Sequence, residues 1–408
     1  MARILVVYKE FPAPSVGHAG GQGVFRLMKA LHRRGHRLLL VARMRREEAP
    51  LMEEVASLCE AVRTVPHHTA LTGPRLLALP RSYLALRRAA ARALREWQPD
   101  QVLVEFAQTA VVLLGLRRPF TTFRPHDVNW FLLEQQAARA WGLRRGGLRA
   151  LAWVFRRLEP WLCRRYDLVA AISEGDRRLL APRCGDRPVV LLPLNPALSV
   201  DEVEPAVPPG PNVLFVGAMY RSFNVEAVRW FLERVWPKVL TRVPQARFYV
   251  VGYGPPAEIR AFHDGERVFV TGYVPDLAPW YRAAAVCVSP LLVAGGLLQK
   301  VLDALAAGVP VVATSVSNHG VGGTPGEHLL VADEPDGFAE AVVRLLTDPA
   351  ERERLGRAGS RFVATRYDLE AALDRWEAVV REHGGPGIDR PTPPRSDRDP
   401  LSGEERGH

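Results

Sequence analysis

Two glycines, a lysine and an aspartate lie close together in Pro290–Thr314, PLLVAGGLLQKVLDALAAGVPVVAT. Gly295 and Gly296 predict a loop whose backbone N–H groups can come close to an anion. The helix predicted directly afterwards, Leu298–Ala307, adds the free N–H groups and the positive dipole end of its N-terminus. That dipole disfavours a cation such as Lys300 in the first turn, unless an anion lies in front of it. The pattern therefore predicts a phosphate site.

Asp303 follows Lys300 by three residues and is predicted on the same helix face. A carboxylate at this depth in the helix can accept hydrogen bonds from ribose hydroxyls. The alternative is a surface Lys300–Asp303 ion pair beside a structural glycine turn, because glycine-rich turns between strands and helices are common. The chain has only four lysines, which favours a functional role for Lys300.

His126 and Asp127 follow a predicted strand, Phe120–Phe123, in a loop where ligands of α/β proteins gather. A loop histidine that is satisfied by its neighbour Asp127 is the alternative interpretation. The pair His67-His68 has no third ligand nearby, so a solvated loop is predicted there and no metal site. The glycine-rich segment 17–23 is predicted as a loop, and it lacks the spacing of ATP-binding or NAD-binding loops.

Alternating strands and helices must position these residues. In the first half, strands are predicted over Ile4–Tyr8, Arg37–Val41, Gln101–Glu105, Phe120–Phe123 and Leu168–Ile172, with helices over Val24–Arg34, Leu76–Trp97 and Leu143–Arg165. In the second half, strands are predicted over Asn212–Val216, Arg247–Val251, Val268–Thr271, Val286–Val288 and Val309–Ala313, with helices over Val225–Arg242, Leu298–Ala307, Gly337–Thr347, Ala350–Ala364 and Leu369–His383. This alternation predicts an α/β protein with two Rossmann-like, doubly wound domains.

The expected boundaries follow from composition. The first domain is predicted over 1–199, and a linker rich in proline and acidic residues over 200–211. The second domain is predicted over 212–366, followed by a helix over 367–383 that can pack back on the first domain. The tail, 384–408, has almost no apolar residues and is predicted to be disordered.

The string G-G-x-x-x-K-x-x-[D/E]-A-L-A-x-G-x-P-V-V-A-T at 295–314 resembles the donor-site motif of retaining glycosyltransferases with the GT-B fold, family 4 and its relatives. Further stretches resemble the family in order and spacing: Asn212–Asn224, Phe248–Pro255, Val270–Leu277 and Leu329–Pro335, and less specifically Leu31–Val41, Pro125–Asp127 and Asp167–Asp176. The chain also departs from the pattern. Gly295 and Asp303 stand where many members carry two glutamates, and 297–299 lacks a frequent basic residue.

The resemblance implies two domains facing each other across a cleft, and transfer of a sugar from a nucleotide-sugar donor with retention of configuration, without a metal or other cofactor. The first domain would bind the acceptor, which could be a glycan, a lipid-linked molecule or a small molecule. Lys300 and Arg221 would neutralise the diphosphate, and Asp303 would hold the ribose. The other implied contacts are His126 with the transferred sugar, Tyr273 and Val274 near the base, and Gly20, Gly21, Gly295, Gly296 and Leu297 around the phosphates or sugar.

Two other functions stay open at this point. One is a catalytically weak homologue that binds a nucleotide sugar as a scaffold or subunit. The other is a sugar-nucleotide epimerase, whose donor-binding half would look similar.

The net charge of +10 and the 29-residue stretch Ala137–Arg165 indicate a further partner. This stretch holds eight arginines, one glutamate and three tryptophans, which is typical of a helix at an anionic membrane surface. A solvated helix face with buried tryptophans is the alternative. No nucleic-acid-binding pattern is present. Four scattered cysteines indicate a reducing compartment, so we expect a cytoplasmic protein, with contact to the inner face of the membrane.

Overall fold

The computed structural model describes residues 1–16, 19–67, 78–196 and 203–385. Its first half forms a parallel sheet of seven strands in the order β3-β2-β1-β4-β5-β6-β7. The strands are β1 Arg3–Tyr8, β2 Arg37–Met44, β3 Ala61–Pro66, β4 Gln101–Glu105, β5 Phe120–Arg124, β6 Leu168–Ala171 and β7 Val189–Leu191. Seven α-helices accompany them: α1 Ala19–Arg33, α2 Met52–Ala56, α3 Ala78–Trp97, α4 Ala107–Leu113, α5 Asn129–Arg139, α6 Gly142–Cys163 and α7 Glu174–Leu180.

The second half forms a parallel sheet of six strands in the order β10-β9-β8-β11-β12-β13. The strands are β8 Asn212–Val216, β9 Arg247–Val251, β10 Val268–Gly272, β11 Val286–Ser289, β12 Val311–Ala313 and β13 Leu330–Val331. The helices are α8 Ser222–Trp230, α9 Trp236–Arg242, α10 Ala257–Arg260, α11 Ala278–Ala283, α12 Gln299–Ala306, α13 Ser315–Val321, α14 Pro335–Thr347, α15 Pro349–Arg366 and α16 Leu369–Glu382. The α/β class and the two doubly wound sheets predicted from the sequence are confirmed.

The prediction of a glycine-rich loop before the first helix is wrong. Helix α1 begins at Ala19, so Gly20, Gly21 and Gly23 all lie inside it. Glycine weakens a helix, but here it permits close packing. A Cβ at Gly23 would collide with Leu194, and one at Gly20 would lie 3.3 Å from the Phe106 ring.

The helix predicted over Val225–Arg242 is interrupted. A π-helical turn at Phe231–Val235 separates α8 from α9. Pro237 follows this turn, and a proline has no N–H to donate while its ring collides with the carbonyl four residues earlier. The regular α-helical hydrogen bonding is therefore lost in the turn before Pro237.

Some predicted boundaries cannot be compared in full. Within the expected linker, 203–211 has no helix or strand, and 200–202 lies outside the described residues. Four other parts of the predictions also lie outside the described residues: Gly17 with His18, His68, the first two residues of the helix expected over Leu76–Trp97, and the expected tail from 386 onwards. None of the helices in the described ranges is long and apolar enough to cross a bilayer.

The last helix, α16, packs on the first sheet. Leu373, Trp376 and Val380 are buried in the same apolar cluster as Ile4 and Leu38. The indole Nε1 of Trp376 donates a hydrogen bond to Oγ1 of Thr122 on β5, at 3.1 Å. The chain therefore crosses to the second sheet and then returns to the first.

Removing the Trp376 side chain is expected to lower the free energy of unfolding by about 3–5 kcal/mol, because a large buried ring is replaced by a cavity. Trp376→Ala can be compared with Trp141→Ala, whose side chain is exposed. Denaturant unfolding measures both. If Trp376→Ala lowered the free energy of unfolding as little as Trp141→Ala, α16 would contribute little to the stability of the first domain.

Candidate functional site

The loop before α12 lies directly against the first domain. Gly296 has a φ of +61°, a conformation that favours glycine. A Cβ at Gly296 would collide with the backbone oxygen of His126, and one at Gly295 would lie 2.7 Å from Cδ2 of Leu132. Both glycines therefore permit close contact between the two domains. The sequence had predicted a different role for them, which is contact between their backbone N–H groups and an anion.

Two hydrogen bonds fix this contact. The Gln135 side chain on α5 donates from Nε2 to the oxygen of Ala294 at 2.9 Å and accepts from the N–H of Ala294 at 3.0 Å. Gly320 on α13 supports the loop from the other side, because a Cβ there would collide with the oxygen of Gly296. The loop is thus held between α5 and α13.

Lys300 in the first turn of α12 is partly buried. Its Nζ donates a hydrogen bond to Oδ1 of Asn224 at 2.7 Å and lies 4.2 Å from the centre of the Phe215 ring. Burial, together with the positive charge of Arg221, lowers the pKa of Lys300 to about 7. The surface ion pair with Asp303 that we considered from the sequence is not formed.

Asp303 is buried and has different neighbours from Lys300. Its Oδ1 accepts a hydrogen bond from Nε2 of Gln299 at 2.8 Å. The same Nε2 also donates to the oxygen of Asn195 at 3.1 Å, and Arg26 on α1 donates to Oδ1 of Asn195 at 3.2 Å. Asp303 therefore belongs to a polar cluster that joins α12 to the first domain.

Two more cations lie beside Asp127, and one of them, Arg221, also acts on Lys300. Arg221, at the start of α8, is exposed, and Lys9 follows β1 in the first domain with its Nζ 4.2 Å from the centre of the Phe106 ring. Burial lowers the pKa of Lys9 below its usual value. The charges of Glu10 and Asp127 oppose this effect, and those of Arg43 and Arg221 add to it. Within the described ranges, Lys9, Arg221 and Lys300 form no ion pair with a carboxylate. Arg221 therefore acts on one lysine from each domain.

Asp127 is the acidic group beside these cations. The pKa of Asp127 is raised above its usual value, because burial outweighs the nearby positive groups His126, Lys9 and Arg221, which lower it. A Cβ at Gly296 would lie 3.1 Å from Oδ1 of Asp127, so this carboxylate borders the glycine loop.

His126 is buried, and its partner is not Asp127 as the alternative interpretation supposed. Nε2 of His126 lies 2.5 Å from Oε2 of Glu105. The Arg124 guanidinium donates to Oε1 and Oε2 of the same carboxylate, at 3.2 and 3.4 Å. Burial raises the pKa of Glu105, but Arg124 and His126 outweigh it and hold that pKa below its usual value. Burial lowers the pKa of His126 below its ordinary value, although the Glu105 carboxylate opposes this effect, so the neutral ring predominates at pH 7. Since the carboxylate can only accept, Nε2 carries the proton and Nδ1 is the free acceptor.

The remaining predicted residues lie at different depths. Tyr273 is 71% exposed and Val274 partly buried, in the loop that follows β10. Gly20 and Gly21 lie in the first turn of α1, and a Cβ at Gly20 would lie 3.6 Å from the hydroxyl of Tyr8, the last residue of β1. The Leu297 side chain is buried in an apolar cluster with Leu194 and Val301, so only its backbone can face a ligand.

The sequence did not single out Lys9, Glu105, Phe106 or Asn224. Phe106 has a φ of +72°, which is uncommon outside glycine and is often found at functional sites. Its ring stacks on His126 with centroids 3.8 Å apart. Lys9, Glu105 and Phe106 all lie at the carboxyl ends of strands, and this position was the one signal in the sequence that could have identified them.

The described ranges contain no group of three His, Cys, Asp or Glu side chains that could hold a metal ion. His67, which was predicted in a solvated loop, is partly buried, and burial lowers its pKa to about 4.

Comparison with known families gives two matches that together account for most of the chain. Residues 210–348 match the model described as Glycosyl transferases group 1, and residues 20–194 match Glycosyltransferase Family 4. A D-inositol 3-phosphate glycosyltransferase of Kribbella flavida is 44% identical over 87 residues, which cover 21% of this chain and 20% of that protein. An uncharacterized 44.6 kDa protein in the cps region of Klebsiella pneumoniae is 26% identical over 165 residues, covering 38% of this chain and 42% of that protein. The chain thus spans less than half the length of these relatives.

Solved structures share both domains. Sucrose-phosphate synthase from Thermosynechococcus elongatus superposes with a TM-score of 0.70 at 19% identity, covering 93% of this chain and 98% of that one. Anabaena HepE in complex with UDP-glucose superposes with a TM-score of 0.63 at 13% identity, covering 94% and 100%. The fold and the two family matches agree with the motif at 295–314, and the chain therefore belongs to the group 1/family 4 glycosyltransferases, with the GT-B fold.

Proposed function

We propose that the protein transfers a sugar from a nucleotide-sugar donor to an acceptor, with retention of the anomeric configuration and without a metal ion. The observation that carries the proposal is a set of three cations from both domains, Lys9, Arg221 and Lys300. The charge of Arg221 acts on both lysines, and among the described residues none of the three forms an ion pair, although Glu10 and Asp127 partly offset the charge of Lys9. Unpaired cations in one cleft favour a ligand with concentrated negative charge, such as a diphosphate. HepE, a protein with the same fold, has been crystallised with UDP and with UDP-glucose.

In this proposal the cations bind the leaving group of the reaction, the nucleoside diphosphate. The bond between the anomeric carbon and the diphosphate oxygen breaks, and a bond from that carbon to the acceptor oxygen forms on the same face. The departing phosphate takes the acceptor proton, so no separate base is needed. Negative charge grows on the diphosphate as the sugar leaves, and Lys300 and Arg221 stabilise that charge with Lys9 as a third group.

The other contacts follow from position. His126 is held by Glu105 with its free Nδ1 as the atom that can accept a hydrogen bond from a sugar hydroxyl. Tyr273 and Val274, beyond β10, are assigned to the base, and Asp303 is assigned to the ribose. Gly20, Gly21 and the backbone of 295–297 border the phosphates and the sugar.

Because all four cysteines are free thiols, we propose that the protein works in the cytoplasm.

Incubation with a panel of UDP-, GDP- and dTDP-sugars tests the function directly. Thermal stabilisation identifies the donor class, since a ligand that binds only the folded state raises the melting temperature. Transfer to an added acceptor, or slow hydrolysis of the donor with retained configuration, is the expected result. An isomerised donor would identify an epimerase, and binding without any turnover would identify a scaffold protein.

Replacing Lys300 and replacing His126 are expected to have different effects on turnover and on nucleotide affinity. Lys300→Ala should lower turnover roughly ten- to a hundredfold, because a charge-assisted contact of about 1.5–3 kcal/mol is lost as the leaving group departs. It should also weaken nucleoside diphosphate binding. His126→Ala should lower turnover and leave that affinity nearly unchanged, since His126 is assigned to the sugar. Steady-state kinetics and calorimetry measure both effects.

A matched control for Lys300 is Lys238→Ala, which removes a surface lysine paired with Asp336. This variant should behave like the wild type. Wild-type turnover in Lys300→Ala would show that the donor site does not lie at 295–303.

Donor binding is expected to take up a proton near Lys300. With a pKa of about 7, about nine tenths of Lys300 is neutral at pH 8. A diphosphate favours the charged amine and raises this pKa, so binding at pH 8 should take up close to one proton, and affinity should fall as pH rises above about 7. Calorimetry in buffers of different ionisation enthalpy measures the uptake, and Lys300→Ala should abolish it. An equal uptake in that variant would assign the proton to another group.

A further inference from the structure

The outward face of α6 carries apolar side chains that no part of the described chain covers. Leu143 is 97% exposed and Trp153 58%, and Leu158 and Trp161 are 41% exposed each. Trp141, just before the helix, is 89% exposed. The interpretation that these tryptophans are buried under a solvated face is therefore wrong. Leu143, Val154, Leu158 and Trp161 recur at helical spacing and are all exposed, so they form a stripe along one side of α6.

Positive charge surrounds this stripe. Five exposed arginines have no carboxylate partner in the described ranges: Arg144, Arg145, Arg149, Arg157 and Arg165. Arg157 lies 3.6 Å from the centre of the Trp153 ring, and Arg165 lies 4.8 Å from that of Trp161. The one acidic residue of α6, Glu159, is buried and accepts hydrogen bonds from the backbone N–H groups of Asn129 and Trp130. The exposed face is therefore apolar and cationic only.

We propose that the outward face of α6 docks on an anionic lipid bilayer surface. Tryptophan and arginine beside exposed leucines suit the boundary between headgroups and acyl chains, where rings and aliphatic side chains enter and the charges meet lipid phosphates. A second copy of the chain fits less well. A symmetric contact would set these arginines against themselves, and α6 exposes no carboxylate to pair with them.

This docking is independent of sugar transfer, but it also bears on the acceptor. Helix α6 packs against α5, whose Leu132 and Gln135 contact the loop at Ala294–Gly295. The bilayer would therefore lie on the side of the molecule that holds this loop. If the proposed function holds, the acceptor is a lipid-linked molecule presented at that surface.

Vesicle binding of the full chain tests the docking without any activity measurement. Vesicles of phosphatidylcholine with phosphatidylglycerol should bind the protein at low salt and release it as salt rises, while vesicles of phosphatidylcholine alone should bind it far less. Arg144→Gln with Arg145→Gln and Arg149→Gln should weaken binding about fivefold for each charge, or roughly a hundredfold in total. Leu143→Ser with Trp153→Ser and Trp161→Ser should also weaken binding.

Matched controls are available on the same domain. Arg81→Gln with Arg88→Gln and Arg95→Gln removes three exposed charges from α3, and Leu84→Ser with Val111→Ser removes two exposed apolar side chains. Both sets should bind vesicles like the wild type, and thermal unfolding verifies that every variant is folded. Three results would overturn the proposal: equal binding to neutral vesicles, no binding to either kind, or a solution dimer that the α6 serine variants disperse.

Discussion

The backbone contact between Gly296 and His126 is the constraint on which the rest of the site depends. Two chain segments from different domains meet there with no side chain between them, and a Cβ at either Gly295 or Gly296 would push them apart. This explains why position 295 carries no glutamate. A side chain there would have to displace Leu132. The contact also sets how near the first domain comes to α12, whose Gln299 reaches the backbone oxygen of Asn195.

Positive charge beside that contact is only partly offset by acidic groups, chiefly Asp127 and Glu10. Lys9 comes from the first domain, Arg221 from the start of α8 and Lys300 from α12. The lowered pKa values of the two lysines reflect burial first, and then repulsion from Arg221. Such an arrangement costs stability in the free protein and is relieved by an anion. Asn224 keeps Lys300 in place, because its side chain accepts from Nζ and donates to the oxygen of Ala218. The loop that carries Arg221 and the lysine are thus fixed by one side chain.

Helix α5 links three parts of the molecule. Its N-terminus is held by Glu159 of α6, and its Gln135 holds the loop at Ala294. Its Phe131 ring lies 4.5 Å from that of His319 on α13. The exposed face of α6 and the cleft are therefore connected through a single helix and its direct contacts.

The sequence by itself determined the elements and the glycine–lysine motif. Strands such as Gln101–Glu105, Asn212–Val216 and Arg247–Val251 were predicted with their observed bounds, because a continuous apolar run between turn residues is a local signal. The signal that identified Lys300 is also local, because it depends only on the N-terminus of the helix that carries this lysine.

Only the tertiary structure decided which groups meet. Glu105 and Arg124 are paired by the register of β4 with β5, and this register also gives His126 its partner. The helix at Ala19 needed packing against Phe106 and Leu194 to offset its glycines. For α6, apolar residues occur around much of the circumference, so periodicity could not say which side is covered. Burial is a property of what packs against a helix, and the packing partners of α6 come from residues distant in the sequence.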